Sequence, residues 1–238
     1  MLSGNSYNTF PTLYDLLYQR YLASVPDFVS LIARHTPAKG AILDLAAGTG
    51  EVSIPLLHRG FAVTSLDRSK GMLNVLQAKA KKEKIKNARV KICDMQRITY
   101  RKQFDAVCIR QAVNYFIGAK ALTKGLLRVR AALKPGGALI FNAPNYHDEK
   151  AYPPVANIYD RGTRHAFVLE TNMLSGRLLK HVQYSLVWED GKKPEYVTDE
   201  NSFYMFTKKE FNRALRHAGF FRILFSGSGK TLYCVANI

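Results

Sequence analysis

Acidic residues are scarce in this chain. Eighteen Asp and Glu stand against 35 Lys and Arg in 238 residues, a formal net charge of +17. The imbalance points to an anionic partner (nucleic acid, a phosphorylated or carboxylated small molecule, an acidic surface) or to a solvated basic surface with no partner at all. Part of the excess needs none: Lys79-Ala-Lys-Lys-Glu-Lys-Ile-Lys86 closes a predicted helix, where lysines suit the dipole. Cysteine is scarcer still. Cys93, Cys108 and Cys234 are odd in number and widely spaced in apolar runs, which excludes a disulfide framework or a zinc site and reads as small buried hydrophobes. No apolar run reaches the roughly 18 residues of a membrane span. Met1-Leu-Ser-Gly-Asn-Ser-Tyr7 lacks a charged-then-apolar signal pattern, so a cytoplasmic protein is expected. Apolar residues, at 47%, suffice for one domain, or for one domain with a sizeable insertion.

The most informative stretch is Ala41-Ile-Leu-Asp-Leu-Ala-Ala-Gly-Thr-Gly-Glu51. A short buried strand leads through small residues into a helix start, and this combination makes a nucleotide-cofactor site. Glycines let the backbone pass close to a ligand, and the helix start offers free N–H groups. From Ala41 onward, strand and helix patterns alternate, which implies a mostly parallel sheet with helices on both faces. Strands are predicted at Ile42–Leu45, Ala62–Asp67, Ala88–Asp94, Phe104–Ile109 and Ala138–Asn142. Between them, Pro55 predicts that the helix after Glu51 is regular for one turn only and then kinks. Ser69 caps the helix that follows Asp67, and Lys134-Pro-Gly-Gly137 stops the helix over Gly118–Leu133. Thr207-Lys-Lys-Glu210 is a capping box. Phe220–Gly227 and Thr231–Ile238 are joined too closely for a crossover, so they are antiparallel.

The stretch Asp44, Ala46-Ala47, Gly48-Thr-Gly50 resembles the first motif of the class I S-adenosylmethionine (SAM)-dependent methyltransferases, with Ala46 where the family often has Gly. Asp67-Arg-Ser-Lys-Gly-Met-Leu73 and Leu133-Lys-Pro-Gly-Gly-Ala-Leu-Ile140 continue the resemblance, which covers residues 38–143 well. It implies an α/β, Rossmann-like seven-stranded sheet with an antiparallel last strand, helices on both faces and a small antiparallel β insertion after the fifth strand. It also implies SAM as cofactor and S-adenosylhomocysteine as product. Asp67, 17 residues after Gly50, would hold the ribose, with Arg68 beside it and Met72 near the adenine. Asp94 and Met95 would meet the adenine edge. Arg110 would face the methionine carboxylate, Asn114 and Tyr115 the substrate, and Tyr14 would cover the cofactor. A dinucleotide cofactor is the competing reading, but Ser53 stands where its fingerprint needs a third small residue.

Residues 6–36 read as helical and rich in tyrosine, with a break before Pro26. The chain thus divides into an N-terminal helical lid (1–37), a SAM-binding domain (38–144 and 207–238) and a β-rich substrate cover (145–206). In the cover, Ala166–Glu170, Leu178–Trp188 and Glu195–Phe206 alternate like strands. Alternate positions of Leu178–Trp188 are polar, so one face is expected to be wet. Tyr146 is a substrate-side candidate, and His147, His165, His181 and Tyr204 are candidate bases. No metal is expected. The expected activity is methyl transfer to N or O of a small acceptor, for which the basic charge suggests an anion. An RNA- or nucleoside-modifying methyltransferase is the alternative, and a non-catalytic SAM-binding regulator the second. No membrane partner is expected, and the chain reads as a monomer or homodimer.

Overall fold

The computed structural model describes residues 2–3, 10–144, 153–227 and 231–238, the first pair as backbone only. In chain order the elements are β1 (Leu2–Ser3), α1 (Tyr14–Leu17), α2 (Gln19–Leu22), α3 (Val25–Arg34), β2 (Ala41–Leu45), α4 (Ser53–His58), β3 (Ala62–Asp67), α5 (Lys70–Lys82), β4 (Arg89–Ile92), β5 (Phe104–Ile109), α6 (Ala119–Ala132), β6 (Leu133–Pro144), β7 (Val155–Arg161), β8 (Arg164–Ser175), β9 (Leu178–Glu189), β10 (Glu195–Tyr204), α7 (Lys208–His217), β11 (Arg222–Ser226) and β12 (Thr231–Asn237).

Seven strands form one sheet in the order β11-β12-β6-β5-β2-β3-β4. Strand β12 is antiparallel to both neighbours and the other pairs are parallel. The order reverses between β2 and β5, which opens a crevice at the carboxyl ends of those strands. Side chains alternate across the sheet as a period of two demands. Ile42, Ala106, Cys108 and Ile140 meet α3 and α4 on one face, while Leu43, Leu45, Val107, Ile109 and Phe141 meet α6 and α7 on the other.

Local chemistry explains where the elements start and stop, and two sequence expectations shift. Helix α4 begins only at Ser53, so Pro55 falls in its first turn, where a missing N–H costs nothing, and no kink follows. Helix α6 ends at Ala132 and β6 starts at once. Lys134-Pro-Gly-Gly137 therefore lies inside the strand, and the register with β5 shifts between Phe104 and Ala106 to accommodate it. Ser69 Oγ accepts from Met72 N at 3.2 Å, and Thr207 and Glu210 make the reciprocal capping pair.

The inserted sheet runs β10-β9-β8-β7, all antiparallel, with β1 added parallel to β10. Strand β7 had no clear sequence signal. The sheet reverses the usual arrangement of polar and apolar faces. Ile158, Phe167, Leu186 and Tyr196 pair across four strands and are exposed. Glu170, His181, Gln183, Ser185, Asp199 and Asn201 face inward and are buried. The expected wet polar face of β9 is thus the covered one. Phe10, Leu16, Leu17 and Tyr18 pack on the apolar part of that inner face, against Ala166, Val168, Val187 and Val197. Among the described residues no helix is long and apolar enough to cross a membrane.

Candidate active site

The carboxyl ends of β2, β3 and β5, the turn after β4, and α1 surround a crevice. The glycine turn forms its floor. Gly48 has φ +55° and Gly50 +87°, and Ala46 shares the left-handed region at +58°. That conformation is open to glycine and strained for alanine. It aims Gly48 N–H at Asp67 Oδ2, 2.9 Å away, while Ser69 N–H reaches Oδ1 at 2.8 Å. The carboxylate closing β3 is thereby fixed in orientation. Burial raises its pKa, opposed by these two N–H donors.

Asp44 lies deeper, with 1% of its surface exposed. Ser53 Oγ donates to it at 2.6 Å and Cys108 Sγ at 3.4 Å. Burial pushes its pKa up to about 6. Asp94 ends β4 by capping the short 3-10 turn Met95–Arg97, with Gln96 N–H on its Oδ1 at 2.7 Å. Glu51, which sequence reading left as a helix start, lines the crevice beside Arg110 and pairs with its Nη1 at 2.5 Å. The signal that could have found it is its place directly after the second glycine. Arg110 also donates to the Tyr21 carbonyl, and its Nε is buried without a partner.

Helix α1 forms the near wall. Tyr14 lines the crevice and stacks on Tyr18 with ring centroids 4.6 Å apart. Its neighbour Asp15 accepts from Thr49 Oγ1 of the glycine turn at 2.6 Å and pairs with Lys79 of α5 at 2.5 Å. Tyr115 lines the outer end, with Arg68 over its ring, and donates to Asn201 Oδ1 at 3.3 Å.

Of the residues singled out from sequence, Tyr14, Asp44, Ala46, Gly48, Asp67, Arg68, Asp94, Met95, Arg110 and Tyr115 converge on the crevice. The rest do not. Gly50 lies behind the turn, where a Cβ would stand 2.7 Å from Leu76. Met72 is fully buried on the inner face of α5, so it packs rather than contacting a ligand. Asn114 is buried and donates to the Tyr204 carbonyl at 2.7 Å, which ties the turn after β5 to the end of β10. Tyr204 packs on Phe206. His165 sits at the β7–β8 hairpin with Asp160 at 2.5 Å, Asp190 at 3.1 Å and Trp188 stacked against it. Both of its ring nitrogens are committed there, which removes it as a base for the crevice. His181 is buried in the inserted sheet beside Asn172. Tyr146 and His147 lie outside the described residues. Cys93 was expected to be buried, but it is partly exposed and lines the crevice.

Comparison with known proteins accounts for this geometry. A family profile described as "Methyltransferase domain" matches residues 42–137. The Bacillus subtilis (strain 168) protein named "Putative methyltransferase YqeM" is 30% identical over 220 residues, 90% of this chain and 86% of that protein. The chain belongs to the class I SAM-dependent methyltransferases. A Streptomyces fradiae dTDP-3-amino-3,6-dideoxy-alpha-D-glucopyranose N,N-dimethyltransferase is 24% identical, over 87% of this chain and 82% of that one. The fold of this methyltransferase matches that of a solved SAM-dependent methyltransferase from Clostridium acetobutylicum. The TM-score is 0.80 at 21% identity, covering 98% and 99% of the two chains.

The charge of the crevice suits the cofactor of this family. Four carboxylates line it (Asp44, Glu51, Asp67, Asp94) against two guanidiniums (Arg68, Arg110). In a chain of net charge +17 this is a locally acidic site, suited to the sulfonium and ammonium of SAM. The unpartnered Arg110 Nε is a donor that suits a carboxylate.

Proposed function

We propose that this methyltransferase methylates nitrogen on a small, hydroxyl-bearing acceptor of the amino-sugar kind. When bound, SAM supplies a methyl group already activated on a sulfonium, so the protein's tasks are alignment and exclusion of water. Asp67, fixed by two backbone N–H groups, holds the ribose hydroxyls. Asp94 and Met95 meet the adenine. Arg110 and Glu51 take the methionine carboxylate and ammonium, and Tyr14 on α1 closes the crevice from above. The residues 145–206 supply the acceptor cover.

The observation that carries this reading is the inward polar face of the inserted sheet. It is closed over by α1 and α2 and reaches the crevice through the Tyr115–Asn201 hydrogen bond. A covered polar face suits a compact acceptor with hydroxyl and amino groups better than a polymer strand. The activity named for the Streptomyces fradiae relative supports nitrogen over oxygen.

The test is incubation with SAM and a panel of amino sugars and their amine-free counterparts, free and dTDP-linked, read by mass spectrometry. The expected result is a product heavier by one or two methylene units on nitrogen, with matching S-adenosylhomocysteine. Methylation of only the amine-free members would move the reaction to oxygen. No product from any member, with the cofactor bound, would defeat the proposal.

A further inference from the structure

We propose that the outer face of the inserted sheet binds a second copy of this chain, face to face, and closes a two-fold dimer. The proposal does not depend on the identity of the acceptor. It concerns the side of the sheet turned away from α1, α2 and the crevice.

The outer face is built from cross-strand rows. Ile158, Phe167, Leu186 and Tyr196 form one, and Ala156, Leu169, Tyr184 and Thr198 form the next. His165 and Trp188 pair beside them and stack on each other. Neither of the two full rows carries a charge. Ile158 is 68% exposed, Tyr196 46% and Phe167 41%. An antiparallel sheet with one face packed inward would carry polar residues at these positions if its other face were meant for water.

The size of the face fits a dimer contact. Four strands about 4.8 Å apart, each about ten residues long at about 3.4 Å per residue, give a flat footprint of roughly 650 Å². A stable dimer covers about 600–1,000 Å² on each copy. Apolar patches of more than a few hundred Å² in water mark interaction surfaces. Two such sheets can stack about 10 Å apart as the halves of a sandwich do, and neither needs a pocket in the other.

Charge selects the occupant. Residues 155–204 hold seven Asp and Glu against six Lys and Arg, whereas the whole chain carries +17. The basic excess therefore lies entirely outside this sheet. Nucleic acid would be drawn to the basic remainder, and a face that docks on an anionic membrane carries a basic rim. Here the rim has both signs. Lys180 pairs with Glu200 at 2.8 Å near one end, and Glu189 meets Lys192 at 3.1 Å and Arg164 at 3.6 Å near the other. Two bodies of +17 repel each other, so a second copy is best received where the charge vanishes. A two-fold contact uses the same patch on both copies and stops at two.

Sedimentation equilibrium of the full chain is the test. The wild type is expected to be dimeric at about 10 μM. Raising salt from about 50 to about 500 mM screens the repulsion and should tighten the dimer about fivefold. Phe167 lies near the middle of the face, so in a two-fold pairing it falls close to its own counterpart. Phe167→Glu and Phe167→Lys should each weaken the dimer about 100-fold, and an equimolar mixture of the two should associate about tenfold more tightly than either alone. Ile158→Asp replaces a side chain that is already mostly exposed, so it carries the test should the Phe167 variants fail to fold, and it too should weaken the dimer. S-adenosylhomocysteine affinity within about twofold of wild type checks that each variant keeps its fold. A wild type still monomeric at about 100 μM, a dimer indifferent to these substitutions, a mixture no tighter than its components, or a dimer loosened by salt would overturn the proposal. So would a monomeric wild type that binds phosphatidylglycerol vesicles and loses them in Ile158→Asp, since the face would then belong to a membrane.

Discussion

Asp44 has a serine hydroxyl and a thiol as its hydrogen-bond partners and almost no contact with water. A carboxyl whose pKa rises from 3.8 to about 6 on folding holds its proton longer in the folded state than in the unfolded one. Its stabilising contribution is complete below the unfolded pKa and is lost as pH climbs through the folded one, a swing of about 3 kcal/mol. Asn cannot ionise, keeps an oxygen for Ser53 and turns its amide toward the weakly accepting Cys108 sulfur. Asp44→Asn should therefore melt several degrees higher than wild type at pH 7.5, at roughly 2–4 °C per kcal/mol for a chain of this size, and show no advantage at pH 4. SAM affinity should fall in the same variant, because a negative charge leaves an acidic crevice built for a cation. Melting by calorimetry at the two pH values, with titration of SAM at the higher, checks both halves. An equal shift in Tm at both pH values would mean that Asp44 does not carry this penalty.

Helix α1 is four residues long, far below the length at which a helix holds by itself, so its position over the crevice depends on what its side chains grip. Asp15 is the main grip, through Thr49 of the glycine turn and Lys79 of α5. Asp15→Ala should leave the seven-stranded sheet intact and Tm nearly unchanged. SAM affinity should drop about tenfold, the worth of one charge-assisted hydrogen bond of about 1.5 kcal/mol. Hydrogen exchange should quicken over residues 10–18, and unchanged affinity would mean that Tyr14 contributes nothing as a cover. The elements also show where the sequence was legible. Asp67 and Gly48 could be read because a tight turn between strand and helix constrains residue type locally. Ser69 and Thr207 were legible for the same reason, since a cap is a one-turn event. Strand β9 could be placed but not oriented: alternation says that His181, Gln183 and Ser185 share a face, and only the packing of α1 and α2 says that this face is inside. Met72 and Asn114 fit a motif by spacing, yet their side chains were taken up by the core and by the Tyr204 carbonyl. Glu51 was overlooked because its partner Arg110 is 59 residues away.

At the scale of the whole molecule, the charge of +17 and the acidic crevice pull in opposite directions. The basic excess lies elsewhere on the surface, and one place where it gathers is a groove lined by Arg97, Lys120, Lys124 and Arg128, which shares Gln96 with the crevice. If RNA were the acceptor, this groove would have to hold it. Four cations on a single strand give a slope of roughly −2.8 in log K against log salt, so binding through them should weaken about 50-fold between 50 and 200 mM salt. A fluorescent oligonucleotide titrated at those two concentrations should show that loss, with nothing measurable left near physiological salt and no methyl transfer to the RNA. Affinity that persists at 200 mM would need base stacking or hydrogen bonds beyond the charge. It would shift the proposed acceptor from the inserted sheet to the basic groove beside Gln96. The proposed placement of the cofactor favours the inserted sheet, because Tyr115 joins the crevice to Asn201 of that sheet, whereas the groove meets the crevice at Gln96, beside Asp94 and Met95.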